Sequence, residues 1–359
     1  MKSIRLGMSA LAATAVLGAA ATPALSQETL NLTVATGHPA VFLWVKHIGE
    51  TFIPTLNEEL AKTGEVQIEW TEAYGGTLVK LGAEAQSLQD GLIDVGQAMG
   101  VFDPAKMGIL NMTYAMPFGP TDAKLVTEAA EHALMSSEGF LDQLADATGA
   151  VYIGGGIAID GYNIATTKPL ATRADMAGVK ISGAGPNLSW LDGTDAVGVQ
   201  GSYVSFYNDI KTGVSDGAIG WITANAPAKL WEVAPYYNKV DFGAMYVGGL
   251  AVSQDRWDSF SDATKEAFRV AAKAYQDAYF EEQNARIEGS TQAMLDGGGE
   301  IVEFDAAEKQ AWIESMANPS TAWMEAARAR GEPVDEIMAA YVAYLADAGF
   351  TFTRNYIEE

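Results

Sequence analysis

Side chains able to carry covalent or metal chemistry are sparse in this sequence. Cysteine is absent, so no disulfide, thiolate nucleophile or cysteine metal site can form. The three histidines, His38, His47 and His132, never pair at metal-ligand spacing, and no H-E-x-x-H occurs. There is no G-x-S-x-G elbow and no phosphate loop. Gly154-Gly155-Gly156 and Gly297-Gly298-Gly299 lack the spacing and context of a dinucleotide fingerprint; they read as a strand edge and a loop. The carboxylate pairs Glu58-Glu59 and Glu281-Glu282 fall on amphipathic helices as solvated faces. No catalytic residue, metal site or cofactor is expected.

The chemistry that remains is reversible and non-covalent. Ligands of open α/β sheets bind beyond the carboxyl ends of strands. That rule selects six loops, several of them rich in glycine and aromatic residues. They carry His38 beside Gly37; Tyr74 within 73–77, with Glu72 just ahead of it; Phe102 at the end of 100–102; Ser182, Asn187 and Trp190 in 182–190; Trp221 and Asn225 in 221–225; and Phe242 and Tyr246 in 242–246. Glycine lets backbone approach a ligand, while Trp and Tyr offer an apolar face with a polar handle. Trp44, Trp70, Trp231 and Trp257, on helices or at strand ends, read as core.

Alternating elements must position these loops. Leu30–Ala35 and Val66–Trp70 alternate as strands, and 94–99 reads as a buried strand. Ala40, Leu43, Trp44, His47 and Ile48 recur at helical spacing between the first two, and Leu78, Leu81, Ala85 and Leu88 do so between the second and third. Strand–helix–strand–helix–strand implies parallel pairing and an α/β layer fold. The rhythm repeats from Val151, with strands over 161–165, 179–182 and 217–221 and a helix over 205–211. Two such units suggest two lobes around a cleft. Residues 247–253 read as a strand returning to the first lobe, and Ser261 as the N-cap of a long helix that buries Ala267, Val270, Ala271, Ala274, Tyr275 and Ala278. The tail over 306–348 is helical in pattern. The expected division is 27–159 with 248–290 for lobe I, and 160–247 with 291–359 for lobe II.

The 359 residues carry a formal charge of −24 spread along the chain. Such charge repels nucleic-acid phosphates and anionic lipid surfaces. Lys2 and Arg5 precede a small-residue apolar run over 6–21, and Ala24-Leu25-Ser26 suits leader cleavage. A signal peptide over 1–26, cut after Ser26, would leave a periplasmic chain starting at Gln27; losing Lys2 and Arg5 takes −24 to −26.

Several segments, in order, resemble the substrate-binding subunits of tripartite ATP-independent periplasmic (TRAP) transporters, the dicarboxylate-binding DctP-like family. They are Tyr74-Gly75-Gly76-Thr77-Leu78, QSLQDGLIDVG over 86–96, Met116-Pro117-Phe118, ADMAGVKI over 174–181, YNDIKTGVSDG over 207–217, and 252–257 leading into the long helix. The resemblance covers nearly the whole chain after the leader. It implies a two-lobe type II periplasmic-binding-protein-like fold with an interdomain cleft and long C-terminal helices. It also implies a small-molecule solute and a membrane permease as partners. Some relatives dimerise through those helices, but no apolar seam in 306–348 compels it, so a monomer or weak dimer is expected.

The resemblance also implies an acid-binding arginine directly after the "K-I" pair, where this chain has Ser182. A second family arginine falls on Tyr162, the family asparagine on Gly220 beside Trp221, and the family aromatic on Tyr203. The departure leans toward an amine-bearing, cationic or neutral solute held by Tyr162, Trp190, Tyr203, Trp221 and Tyr246, with Glu72 or Asp160 as counter-charge. The alternatives are a carboxylate or sulfonate held by backbone amides of 182–185 with Asn187 and His38, a sensory binding protein, and an enzyme on a binding scaffold.

Overall fold

The structure, a computed structural model, describes residues 27–357; the signal peptide expected over 1–26 lies outside the described residues. Two sheets form. The first contains β1 (Glu28–Ala35), β2 (Val66–Ala73), β3 (Val95–Met99), β4 (Ala150–Ile159) and β10 (Met245–Ser253), in the order β2-β1-β3-β10-β4. The second contains β5 (Tyr162–Thr166), β6 (Lys180–Gly183), β7 (Val197–Gln200), β8 (Gly217–Trp221), β9 (Tyr236–Lys239) and β11 (Glu300–Glu303), in the order β11-β9-β5-β8-β6-β7.

In the first sheet β1 pairs parallel with both β2 and β3, as strand–helix–strand connections require. Every residue of β3 is buried, which fits a central strand with both faces covered. β10 runs antiparallel between β3 and β4. Its Gly248 is obligatory: φ is +118°, and a Cβ there would sit 1.8 Å from the Ala98 carbonyl oxygen.

The chain passes from the first sheet to the second between β4 and β5 and returns between β9 and β10. The two passages are tied together: Tyr162 N–H donates to Gly243 O and Phe242 N–H to Tyr162 O, both at 3.0 Å. A helix over Asp262–Asp296 makes the third connection, ahead of β11. Ser261 caps it, its hydroxyl accepting from Thr264 N–H. The tail is shared: β11 extends the second sheet beside β9, whereas the helix Val334–Asp347 packs on the helix Ala123–Ser136, which covers β4 of the first.

Two sequence expectations are corrected. The helix expected from Leu78 forms only over Glu84–Gln89, and Leu78 and Leu81 are exposed. Positive φ at Gly75, Gly76 and Gly82 bends the preceding segment into turns. The long helix buries Phe268, Ala271, Ala272, Tyr275, Gln276, Tyr279, Phe280 and Gln283, while Val270 is exposed and Ala274 and Ala278 are half-buried. Its inward face is rotated because the large aromatic side chains, absent from most of the expected face, gain the most from burial. No helix among the described residues is long and apolar enough to cross a membrane.

Candidate functional site

A cavity of about 340 Å³ lies between the two sheets. Its wall follows the carboxyl ends of the parallel strands. Gly37 and His38 come just after β1, Met99 and Phe102 at and after β3, Ala184 and Asn187 after β6, Ser202 and Tyr203 after β7, and Trp221 ends β8. Of the residues proposed from sequence, His38, Phe102, Tyr162, Asn187, Tyr203 and Trp221 meet at this wall.

The first-lobe side is held by a buried carboxylate. Glu84, at the start of its short helix, accepts from Gly37 N–H at 2.8 Å and Gly82 N–H at 2.7 Å, so both loop backbones are fixed at one residue. Gly37 must be glycine, since a Cβ would lie 2.2 Å from the Leu81 backbone nitrogen. The His38 ring then packs edge-on against Phe102 at 5.0 Å, Trp44 at 5.4 Å and Phe42 at 5.5 Å. Phe42 stacks on Trp44 at 4.4 Å. Burial lowers the His38 pKa to about 4, so the imidazole is neutral at pH 7.

The second-lobe side is a chain of rings. Tyr203 stacks on Trp221 at 6.1 Å, Trp221 tilts onto Tyr162 at 5.0 Å, and the hydroxyls of Tyr162 and Tyr114 lie 3.3 Å apart. Burial keeps both phenols protonated by raising their pKa values. The lobes meet where Phe42 faces Tyr203 at 5.5 Å.

Among the described residues no Asp, Glu, Lys or Arg lines this cavity. The proposed counter-charges are engaged elsewhere. Glu72 accepts from the Tyr74 hydroxyl at 2.8 Å, and neither reaches the wall. Asp160 is buried and accepts from the Thr223 hydroxyl at 2.5 Å and Thr223 N–H at 3.2 Å; burial pushes its carboxyl up to about 6. Arg173 pairs with Glu308 at 3.1 Å. Arg286 lines a small recess of about 30 Å³ that shares Phe42, Trp44, Tyr203 and Trp221 with the main cavity. Its guanidinium is bonded to Glu282 at 3.0 Å and to the Val41 carbonyl at 3.1 Å.

The other proposed residues fall behind the wall. Ser182 is fully buried in β6, and its hydroxyl has no hydrogen-bond partner. Trp190 is fully buried, donates to the Tyr114 carbonyl at 2.9 Å and stacks on the Tyr114 ring. Phe242 is fully buried against Trp190 and Trp312. Tyr246 is fully buried, its hydroxyl 2.8 Å from that of Tyr152, and Asn225 is buried beside Gly220. Large side chains at these positions fill space between layers, so a loop address alone does not turn them toward the cleft. Conversely, Trp44, read as core, lines the cavity with Phe42, Leu81 and Val204. Exposed Leu81 and Val204 carried a usable signal: large apolar residues in loops rich in glycine, serine or threonine, with no helix to bury them.

Two α/β lobes enclose a ring-lined cavity at the strand ends whose lining holds no Asp, Glu, Lys or Arg, a space suited to a small solute. The chain belongs to the bacterial extracellular solute-binding proteins, family 7, whose sequence profile it matches over residues 35–326. A solute-binding protein of Chromohalobacter salexigens is 30% identical over 149 residues, which span 40% of this chain and 43% of the relative. The fold is similar to that of a TRAP periplasmic solute-binding protein from Desulfovibrio salexigens, with a TM-score of 0.75 at 16% identity over 92% of this chain and 99% of the other. A Chromohalobacter salexigens TRAP protein with bound D-glucuronate gives 0.71 at 20% identity, over 86% and 99% of the two chains. A Bordetella bronchiseptica TRAP protein with bound (R)- and (S)-mandelate gives 0.71 at 20% identity, over 89% and 99%.

Proposed function

We propose that this chain is the periplasmic receptor of a TRAP-type uptake system. It captures a small organic solute between its lobes and delivers it to a membrane permease. The observation that carries this reading is the cavity between the two sheets, walled by rings from both lobes. A solute touching both lobes stabilises their closed arrangement by its differential affinity, which is what a delivery receptor needs.

The expected solute is neutral. A carboxylate finds no free side-chain cation: none lines the cavity, Arg286 at the adjoining recess is paired with Glu282, and Ser182, at the position where the resemblance implies an arginine, is buried. An ammonium ion finds aromatic faces but no carboxylate, since Asp160 and Glu72 are bonded elsewhere. A second reading has one observation in its favour: the similar folds with bound glucuronate and mandelate hold carboxylates. Here backbone amides near Ala184 and Asn187 would have to hold the acid.

The test is a thermal-shift screen of the chain from Gln27 against neutral polar solutes, amines, organic acids, sugar acids and sulfonates. A solute present at about a thousand times its dissociation constant stabilises by roughly 4 kcal/mol. A shift with neutral solutes is expected. A shift with acids alone moves the assignment to the second reading, and turnover of the bound solute, seen by mass, would overturn the receptor role.

A further inference from the structure

Three buried nitrogens of residues at the cavity wall have no hydrogen-bond partner: Trp44 Nε1, Trp221 Nε1 and His38 Nδ1. The large core indoles differ. Trp190 Nε1 donates to the Tyr114 carbonyl at 2.9 Å, and Trp312 Nε1 to the Trp190 and Asp192 carbonyls at 3.0 and 2.9 Å. Buried donors are almost always satisfied, and of the unmatched buried side-chain atoms these three belong to residues that line one cavity. Trp44 stands on the first-lobe side and Trp221 at the end of β8 on the second.

We infer that Trp44 and Trp221 select a solute bearing an uncharged oxygen acceptor, which the two indole N–H groups bind from opposite lobes. This rests on the receptor reading above and specifies its substrate class: a compact apolar body carrying an amide, ketone or similar carbonyl.

The chemistry of the donors restricts the ligand. An indole nitrogen donates and cannot accept, so an ammonium head, which also only donates, leaves both unmatched. A carboxylate could accept, but the one cation at the recess, Arg286, is already paired with Glu282 and bonded to the Val41 carbonyl, and no Lys or Arg lines the adjoining cavity. A carbonyl oxygen has two lone pairs and can take both indoles without importing charge. The space is divided accordingly. The recess of about 30 Å³ is lined by both indole residues and holds one or two water-sized groups, suitable for an acceptor head. The adjoining 340 Å³ cavity, with Phe42, Phe102 and Tyr203, takes the apolar body. His38, on the wall of the larger cavity, is neutral and offers one N–H and one lone pair to the body of such a solute.

Titration calorimetry with one phenyl body and three heads tests this: 2-phenylacetamide, 2-phenylacetate and 2-phenylethylammonium, added to the mature chain. The amide should bind at least tenfold tighter than either ion. Trp44→Phe and Trp221→Phe keep a ring and remove the N–H; each should weaken the amide about tenfold more than it weakens toluene. An ion that binds as tightly as the amide overturns the inference. So does a pair of Phe variants that hold the amide like the parent. If none of the three heads binds, the inference fails while the receptor reading stands or falls on the wider solute screen. Should one variant fail to fold, the other, on the opposite lobe, carries the test.

Discussion

Asp160 provides a prediction whose size follows from its surroundings. The residue lies in the passage from β4 to β5 and is 2% exposed. Thr223, on the short helix Ile222–Asn225, donates to it through both hydroxyl and backbone N–H. Burial outweighs those bonds, and its pKa rises from the usual 3.8 to about 6. Below pH 3.8 the folded and unfolded chains both carry the proton, so the contribution is fully present. As pH rises toward 6 the unfolded chain ionises first, and stability is lost. At 1.36 kcal/mol per pH unit the loss above pH 6 comes to about 3 kcal/mol. With an unfolding entropy of about 2.1 cal/mol/K per residue, that is about 4 °C in Tm for a chain of this length. Asp175, Asp335 and Glu282 have lowered pKa values and act in the opposite sense, so the measurement must be a difference. Thermal melts of the parent and Asp160→Asn between pH 3.5 and 7 supply it. The variant loses one acceptor oxygen at every pH, a constant offset. On top of that offset the variant should gain about 3 kcal/mol on the parent across the window. A difference that stays flat with pH would refute the claim that burial governs Asp160.

Further outcomes follow from the same contacts. Tyr203→Ala and Trp221→Ala should each weaken solute binding about two- to tenfold, the worth of a lost ring contact, read by calorimetry; unchanged affinity in both would remove the aromatic wall from the binding reading. Gly248→Ala should cost at least about 3 kcal/mol in a urea titration, because the new Cβ meets the Ala98 carbonyl at 1.8 Å and the φ of +118° is strained; an unshifted midpoint would show β10 to be adaptable at this point. Ser182→Ala should leave stability unchanged or raise it by up to about 1 kcal/mol, since it deletes a buried hydroxyl without a partner, and should leave solute affinity alone. A large loss of affinity in that variant would bring Ser182 back into the site.

The order of elements was legible in residue patterns because each short stretch declares its own period. Leu30–Ala35, 94–99 and 217–221 alternate or run apolar, and they appear as β1, β3 and β8 with bounds displaced by two residues at most. The edges of the second sheet were not legible. β7 and β11 close the two ends of the second sheet, and both are largely exposed, so their sequences carry no buried face to reveal them. Leu78 and Leu81 show the converse error: helical spacing without a surface to bury it yields turns.

The same division runs through the site. Residue types alone settled that no cysteine chemistry is available, and motif order pointed to the solute-binding family that the chain belongs to. Loop position pointed to His38, Phe102, Asn187 and Trp221, which line one cavity, because chain direction fixes which end of a parallel strand a loop leaves. Which side chain turns toward the cavity is a property of layers packed from distant segments. Trp190 faces Tyr114, 76 residues away, whereas Trp44 meets Trp221's cavity from the other lobe. Local sequence sets each element and its loops; the long-range packing of two lobes decides which rings remain free to meet a solute.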